Sequence, residues 1–175
     1  MRYSAVMKDN LLILGAGQYG MVVKEIAASI NKFAKISFLD DKNPEAIGTL
    51  DACGNLTDEF GCAIVAMGNP QMRLKWLDKL KHLGYELPVL VHPMAYVSAS
   101  AKLEEGTVIE PMAVVHSGAV VMTGGIVCAG AVVNHNATVG CGCQIDCNAV
   151  VAANAIVPQE TKVQSGSVVH SEISK

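Results

Sequence analysis

His135 stands in the run Val133-Asn134-His135-Asn136. An amine or hydroxyl that attacks a carbonyl must lose a proton as it adds. An imidazole, with an unperturbed pKa of about 6.5, suits that transfer at cellular pH. His116 is the rival base, and of the remaining imidazoles His82 falls on a solvated helix face, His92 at the entry to the C-terminal half and His170 near its end. A second constellation is Gly15-Ala16-Gly17-Gln18-Tyr19-Gly20, with Asp40-Asp41 about twenty residues on. A glycine turn that opens a helix holds phosphate through its amide N–H groups and the helix dipole. The alternative is a tight strand-to-helix turn that binds nothing.

The elements that position the glycines are legible. Leu11-Leu12-Ile13-Leu14 reads as a buried strand, and the turn then opens a helix burying Val22, Val23, Ile26, Ala27 and Ile30 at helical spacing. A second strand over 36–39 ends at Asp40-Asp41. A third over 62–67 ends in Gly68-Asn69-Pro70. A second helix over about 71–83 buries Met72, Leu77, Leu80 and Leu83, and Pro88-Val89-Leu90-Val91 reads as a last short strand. Strands alternating with helices predict a small parallel α/β domain, residues 1–91. It amounts to one mononucleotide-sized half, so the glycine turn reads as a nucleotide or nucleotide-sugar site. An NAD-dependent oxidoreductase would rest on the glycine fingerprint alone and leaves the second half unexplained.

His135 belongs to that second half, residues 92–175, which is periodic. From Val97 to Val169 every sixth residue is Val, Leu or Ile, thirteen positions in all. Four residues after each comes a small side chain. Three residues after, Gly or Asn fills nine of twelve places, which marks a corner with φ > 0. The aliphatic and small residues share one pleated face and point inward. A hexapeptide period of this kind predicts a parallel β-helix whose coils bury a core that no single coil could bury alone. His135 then faces outward from a corner. Ala153 lies one coil above, about 4.8 Å away by strand stacking, and its N–H is the candidate donor to an oxyanion.

Composition limits the alternatives. The net charge is −3 with no basic run, which argues against nucleic-acid binding, and no apolar stretch is long enough to span a membrane. The opening MRYSAVMKDN lacks the apolar core of a signal peptide. Of the six cysteines, Cys141, Cys143 and Cys147 are close in sequence but fall on different faces of the repeat. We read them as small packing residues in a reducing cytoplasm and expect no metal site.

A Rossmann-like domain followed by hexapeptide coils resembles the sugar O- and N-acetyltransferases, a family that includes sialic acid O-acetyltransferases and UDP-4-amino-sugar N-acetyltransferases. The residues carrying the resemblance are Gly15-x-Gly17-x-x-Gly20, Asp40-Asp41, Gly68-Asn69 with Arg73, His92-Pro93, and Val133-Asn134-His135-Asn136. It implies a left-handed β-helix and an acetyl-CoA-dependent transfer to a nucleotide-linked amino sugar in surface-glycan biosynthesis. It implies direct attack on the thioester with His135 as general base, and a homotrimer with the coenzyme in a groove between chains. On that basis Gly15, Gly17, Gln18, Tyr19, Gly20, Asp40, Asp41, Gly68, Asn69 and Arg73 are expected at the nucleotide sugar. His135, Asn136 and Ala153 are expected at the reaction, and Gln144 with Ala153 at the coenzyme. The family often follows its catalytic histidine with a carboxylate and has glycine at the place of Ala153; this chain has Asn136 and Ala153. Two alternatives are kept. One is a sugar O-acetyltransferase of the sialic-acid type. The other is a non-catalytic trimeric nucleotide-sugar-binding protein with an incomplete coenzyme groove, favoured by Asn136 and by the few residues that follow Val169.

The residue before each inward aliphatic points outward. On the face leading to His135 these are Tyr96, Val114, Val132, Val150 and Val168, apolar at every coil. Such a stripe marks an interface. It is expected at the subunit contact, with packing against the chain's own N-terminal domain as the alternative.

Overall fold

The computed structural model describes residues 10–171; the opening read above as no signal peptide lies largely outside them. Three parallel strands, β1 (Asn10–Leu14), β2 (Lys35–Leu39) and β3 (Cys62–Val65), pair in the order β2-β1-β3. Helix α1 (Gln18–Ser29) follows β1 and α2 (Pro70–His82) follows β3. Strand β1 is apolar at consecutive positions because both its faces are covered. Leu11 and Ile13 pack with Val23, Ile26 and Ala27 of α1, while Leu12 and Leu14 pack with Leu77 and Leu80 of α2. Two expected core residues face out instead: Val22 is 37% and Met72 42% exposed. The place expected for Met72 goes to its neighbour Arg73, which is buried.

A second correction concerns Leu90–Val91. This strand, β4, does not extend the α/β sheet. The chain touches β3 by one bridge, Cys62 to Glu86, and Pro88 then lacks the N–H that a continued ladder needs. Instead β4 pairs with β7 (Val108–Ile109) and begins the β-helix.

The remaining rungs are two residues long and recur every six residues. One sheet holds β4, β7, β10 (Ile126–Val127), β13 (Gln144–Ile145) and β16 (Lys162–Val163). The next holds β5 (Tyr96–Val97), β8 (Val114–Val115), β11 (Val132–Val133), β14 (Val150–Val151) and β17 (Val168–Val169). The last holds β6 (Lys102–Leu103), β9 (Val120–Val121), β12 (Thr138–Val139) and β15 (Ile156–Val157). All pairings are parallel, and Val114 faces Val132, which faces Val150, a step of eighteen residues per coil. The architecture is a left-handed parallel β-helix of about four coils after a Rossmann-like α/β unit. The inward columns are sealed: Val115, Ala119, Val133, Ala137 and Val151 have no exposed surface. Each such aliphatic contributes about 1.5–3 kcal/mol relative to an exposed one. The corner column holds φ near +60° even at Met112 and Glu160, so the stacking of coils imposes this backbone on residues that do not favour it.

The α/β unit covers the β4 sheet, where Leu90, Val108 and Ile126 are 1% exposed. The adjacent corner carries Gly106, Gly124 and Gly142 against α2. A Cβ on Gly124 would stand 2.8 Å from the Leu77 side chain and one on Gly142 2.9 Å from Leu74. Between them runs the Arg73 guanidinium. Its Nε donates to the Gly124 carbonyl (2.9 Å) and its Nη2 to that of Gly142 (2.6 Å), while Nη1 donates to Met67 and Gly68 within the α/β unit. Burial lowers its pKa from the ordinary value, yet a guanidinium keeps its proton. Arg73→Met keeps an apolar stem and removes these donors. It is expected to lower stability by about 3 kcal/mol in urea unfolding. A change below about 0.5 kcal/mol, the range of ordinary surface substitutions, would contradict this role.

Candidate functional site

The glycine turn leaves β1 at its carboxyl end and opens α1. Gly15 sits at φ +104, and a Cβ there would meet the Ala66 carbonyl at 2.8 Å; one on Gly20 would meet the Gly15 carbonyl at 2.2 Å. Those two glycines are demanded by the backbone. Gly17 is not: nothing lies within 4 Å of where its Cβ would be. Its bare backbone opens onto the N-terminus of α1, which has no side-chain cap and no acid in its first turn. The first-turn N–H groups of a helix have no partner within it, so this end offers donors to an anion.

Asp40 shapes this turn rather than standing free beside it. Its Oδ2 accepts from the Ala16 N–H (2.8 Å), and its Oδ1 accepts from the N–H groups of Lys42 and Asn43 (both 2.9 Å). These bonds, the Ala16 one first, hold its carboxyl below the usual carboxylate range. Asn43 completes the clamp by donating to the Ala16 carbonyl at 2.7 Å. Asp41, expected at the nucleotide sugar together with Asp40, is exposed and accepts from the Leu50 N–H at 3.0 Å. Asn69 is likewise occupied: its side chain caps α2 by accepting from the Met72 N–H at 2.8 Å. Arg73, expected at the sugar, has its donors turned to backbone carbonyls and no free face. Gly68 remains open at the same end of the sheet.

Tyr19 also departs from expectation. Its hydroxyl is buried and has no hydrogen-bond partner among the described residues. The ring leaves the turn for the seam with the β-helix. Burial pushes its pKa well up, nearby Glu110 and Cys128 add to this, and Arg73 opposes it. At the same seam burial raises the carboxyl of Glu110, whose Oε2 accepts from the Ala129 N–H at 3.0 Å. Glu110 gave no signal in the sequence beyond an ordinary place in the repeat.

His135 is exposed at the corner after β11. The Oδ1 of Asn134 lies 2.9 Å from its Nδ1 and accepts from its backbone N–H at 2.8 Å. Asn136, expected at the reaction beside His135, makes no hydrogen bond to the ring. At φ 56 it joins a ladder, with its Oδ1 over Gly118 and its Nδ2 toward Asn154 Oδ1 (3.5 Å). One coil above, Ala152 donates to Val169 and Asn154 to His135, while the Ala153 N–H between them has no partner among the described residues. A cleft of about 370 Å³ bounded by Asn154, Ile156, Pro158 and His170 lies beside that position. Gln144 is elsewhere, on the β13 rung, where it contacts Asp146 (3.3 Å) and Cys128 (3.8 Å). His116 packs edge-on against Tyr96, with ring centroids 6.2 Å apart. Cys143 is buried, Cys141 half-buried and Cys147 exposed, and among the described residues no three metal-ligating side chains converge.

The PglD N-terminal domain family matches residues 10–80. The acetyltransferase domain of PglB from Neisseria gonorrhoeae FA1090 is 29% identical. The match covers 95% of this chain and 94% of that one, with a TM-score of 0.77. The N-terminal unit thus matches that family model, and the chain as a whole is similar to the hexapeptide-repeat sugar acetyltransferases. Its class of reaction is acyl transfer. The same PglB domain in complex with acetyl coenzyme A is 28% identical over 94% of this acetyltransferase and 92% of that chain, at a TM-score of 0.72. A variant of perosamine N-acetyltransferase from Caulobacter crescentus, in complex with CoA and GDP-perosamine, shares the fold. It is 21% identical over 93% and 89% of the two chains, with a TM-score of 0.76.

Proposed function

We propose that this acetyltransferase moves the acetyl group of acetyl-CoA to the amine of a nucleotide-linked amino sugar in surface-glycan biosynthesis. The observation that carries the reading is the pairing of an exposed His135 with the Ala153 N–H one coil above, which has no partner among the described residues, beside an open cleft. The relative seen with acetyl coenzyme A supports the coenzyme. The bare backbone of Gly17 at the start of α1 suits a diphosphate. The division of labour follows the two units: the α/β unit holds the nucleotide and the β-helix carries the transfer. Leu90–Val91 count with the β-helix they pair with.

The chemistry assigned to the corner is a direct transfer. The acceptor amine adds to the thioester carbonyl carbon as the Nε2 lone pair of His135 takes its proton. The new C–N bond leaves an oxyanion, to which the Ala153 N–H donates. The oxyanion collapses, the C–S bond breaks and the departing thiolate takes the proton from the imidazolium. A positioned base contributes about 10²–10⁴-fold, and loss of one oxyanion donor costs about 10²–10³-fold. An acceptor hydroxyl would use the same groups.

We also infer a homotrimer. The α/β unit covers the β4 sheet and leaves the β5 sheet bare: Tyr96 is 57% and Val168 49% exposed, with Val114, Val132 and Val150 half-buried between them. A second copy on this stripe would place His135 at the border between chains. Acetyl-CoA and nucleotide sugars fit a cytoplasmic setting, as do six cysteines that form no disulfide among the described residues. No helix among the described residues is long and apolar enough to cross a membrane.

Two measurements test these readings. Mixed with acetyl-CoA and a panel of UDP-, dTDP-, GDP- and CMP-linked sugars, including 4-amino sugars, the protein is expected to give an acetylated product by mass spectrometry. His135→Ala should reduce its rate by at least about 100-fold. An O-acetylated product would select the hydroxyl alternative, and product formation untouched by His135→Ala would remove the base assignment. No product from the whole panel would favour the binding protein. In light scattering, a Val132→Lys, Val150→Lys double variant is expected to be monomeric; a variant that stays trimeric would contradict the interface.

A further inference from the structure

We propose that Asn134, and not Asn136, is the positioning residue of the base, and that it sets a neutral amide–imidazole pair in which Nε2 alone is free to take the proton. The proposal rests on the reading of His135 as the general base. Its geometry is independent of that reading. The Asn134 Oδ1 faces two groups of the next residue, the backbone N–H of His135 (2.8 Å) and the ring Nδ1 (2.9 Å). A backbone N–H can only donate, so the atom facing it is the amide oxygen. That oxygen can only accept, so Nδ1 carries the proton and Nε2 presents its lone pair. The backbone of Asn134 is fixed independently of its side chain: its N–H donates to the Val151 carbonyl and its carbonyl accepts from Ala137.

Among the described residues the corner supplies no negative charge to the imidazolium. With eighteen residues per coil, the column of Asn134 reads Ser98, His116, Asn134, Ala152, His170. The column of His135 reads Ala99, Ser117, His135, Ala153, Ser171, and the turn column reads Ser100, Gly118, Asn136, Asn154. On the flanking sheets the outward residues are Tyr96, Val114, Val132, Val150 and Val168 on one side and Lys102, Val120, Thr138 and Ile156 on the other. Among the described residues the titratable groups facing this corner are therefore His116, His170, Tyr96 and Lys102, with no carboxylate. An amide orients the ring as a carboxylate would but does not stabilise its cation. The protonated base formed during transfer is held by hydrogen bonding alone, which favours rapid return of the proton to the leaving thiolate.

The test is nitrogen NMR of protein labelled in histidine, with His135 assigned by the signal lost in His135→Ala, alongside the rate of acetyl transfer against pH. In the unsubstituted protein at high pH, His135 is expected to carry its proton on Nδ1. An unconstrained imidazole in water favours Nε2, so Asn134→Ala should return the proton there. It should also lower kcat at least about tenfold, since a wrong tautomer disables a histidine base, with KM for acetyl-CoA little changed. Asn134→Asp should keep the Nδ1 proton and move both the ring titration and the acid limb of the rate profile up by about one pH unit. A proton on Nε2 in the unsubstituted protein, a tautomer unmoved in Asn134→Ala, or an acid limb unmoved in Asn134→Asp would overturn the proposal. Activity retained by His135→Ala would overturn the base assignment itself and Asn134's catalytic role with it. Loss of activity in His135→Ala with an unmoved tautomer in Asn134→Ala overturns the positioning role alone.

Discussion

The buried guanidinium of Arg73 joins the two halves of this acetyltransferase, and the relative placement of the sites depends on it. A cation taken out of water is tolerated only where its donors are met. Here they are met by carbonyls from both units, Met67 and Gly68 on one side and Gly124 and Gly142 on the other. The corner can supply those carbonyls because its turn column is glycine at 106, 124 and 142, which lets α2 lie against it without side chains between. Fixing α2 fixes β3, and β3 fixes β1 and the glycine turn through their ladder. The glycine-turn end of the molecule is thus set against the β-helix through the buried Arg73 side chain, and the exposed pairs Lys81–Glu105 and Gln71–Glu160 cross the same seam.

The two candidate sites use charge in opposite ways. At the glycine turn a carboxylate is present but engaged, since Asp40 draws in three backbone N–H groups and shapes the loop. The later N–H groups of the turn and first helical residues are left for an anion. At the His135 corner no carboxylate is present among the described residues, and orientation comes from the Asn134 amide. The first arrangement suits holding a charged group in place. The second suits a base that is protonated only in passing.

The β-helix was legible because its signal is redundant: each inward column repeats at every coil, and one deviant residue does not hide it. Met112 and Glu160 broke the glycine and asparagine turn column, and the stacking of coils overrode both. The α/β unit was legible as strand-turn-helix, with both structural glycines where the motif puts them. What the sequence does not show is the direction of single side chains. Arg73, Asn69 and Asp40 sit beside the turns a ligand would use, and the family resemblance placed them at the nucleotide sugar. In space they cap a helix, join two units or pin a loop. Asn134 and Asn136 flank the same histidine, and only the turn geometry separates them. Position 136 is the left-handed residue and points into the ladder, while position 134 precedes the bend and reaches the ring. Leu90–Val91 reads equally well as a strand of either sheet, and Pro88 decides the matter by ending the first ladder.

In the proposed arrangement one chain holds its nucleotide at the glycine turn and its coenzyme at the His135 corner. Hydrogen–deuterium exchange tests it directly, with a UDP- or GDP-linked 4-amino sugar and CoA added one at a time. The nucleotide sugar is expected to slow exchange at residues 15–20 and CoA to slow it at 152–156. Protection by both ligands at the β-helix alone, with the glycine turn unchanged, would contradict it.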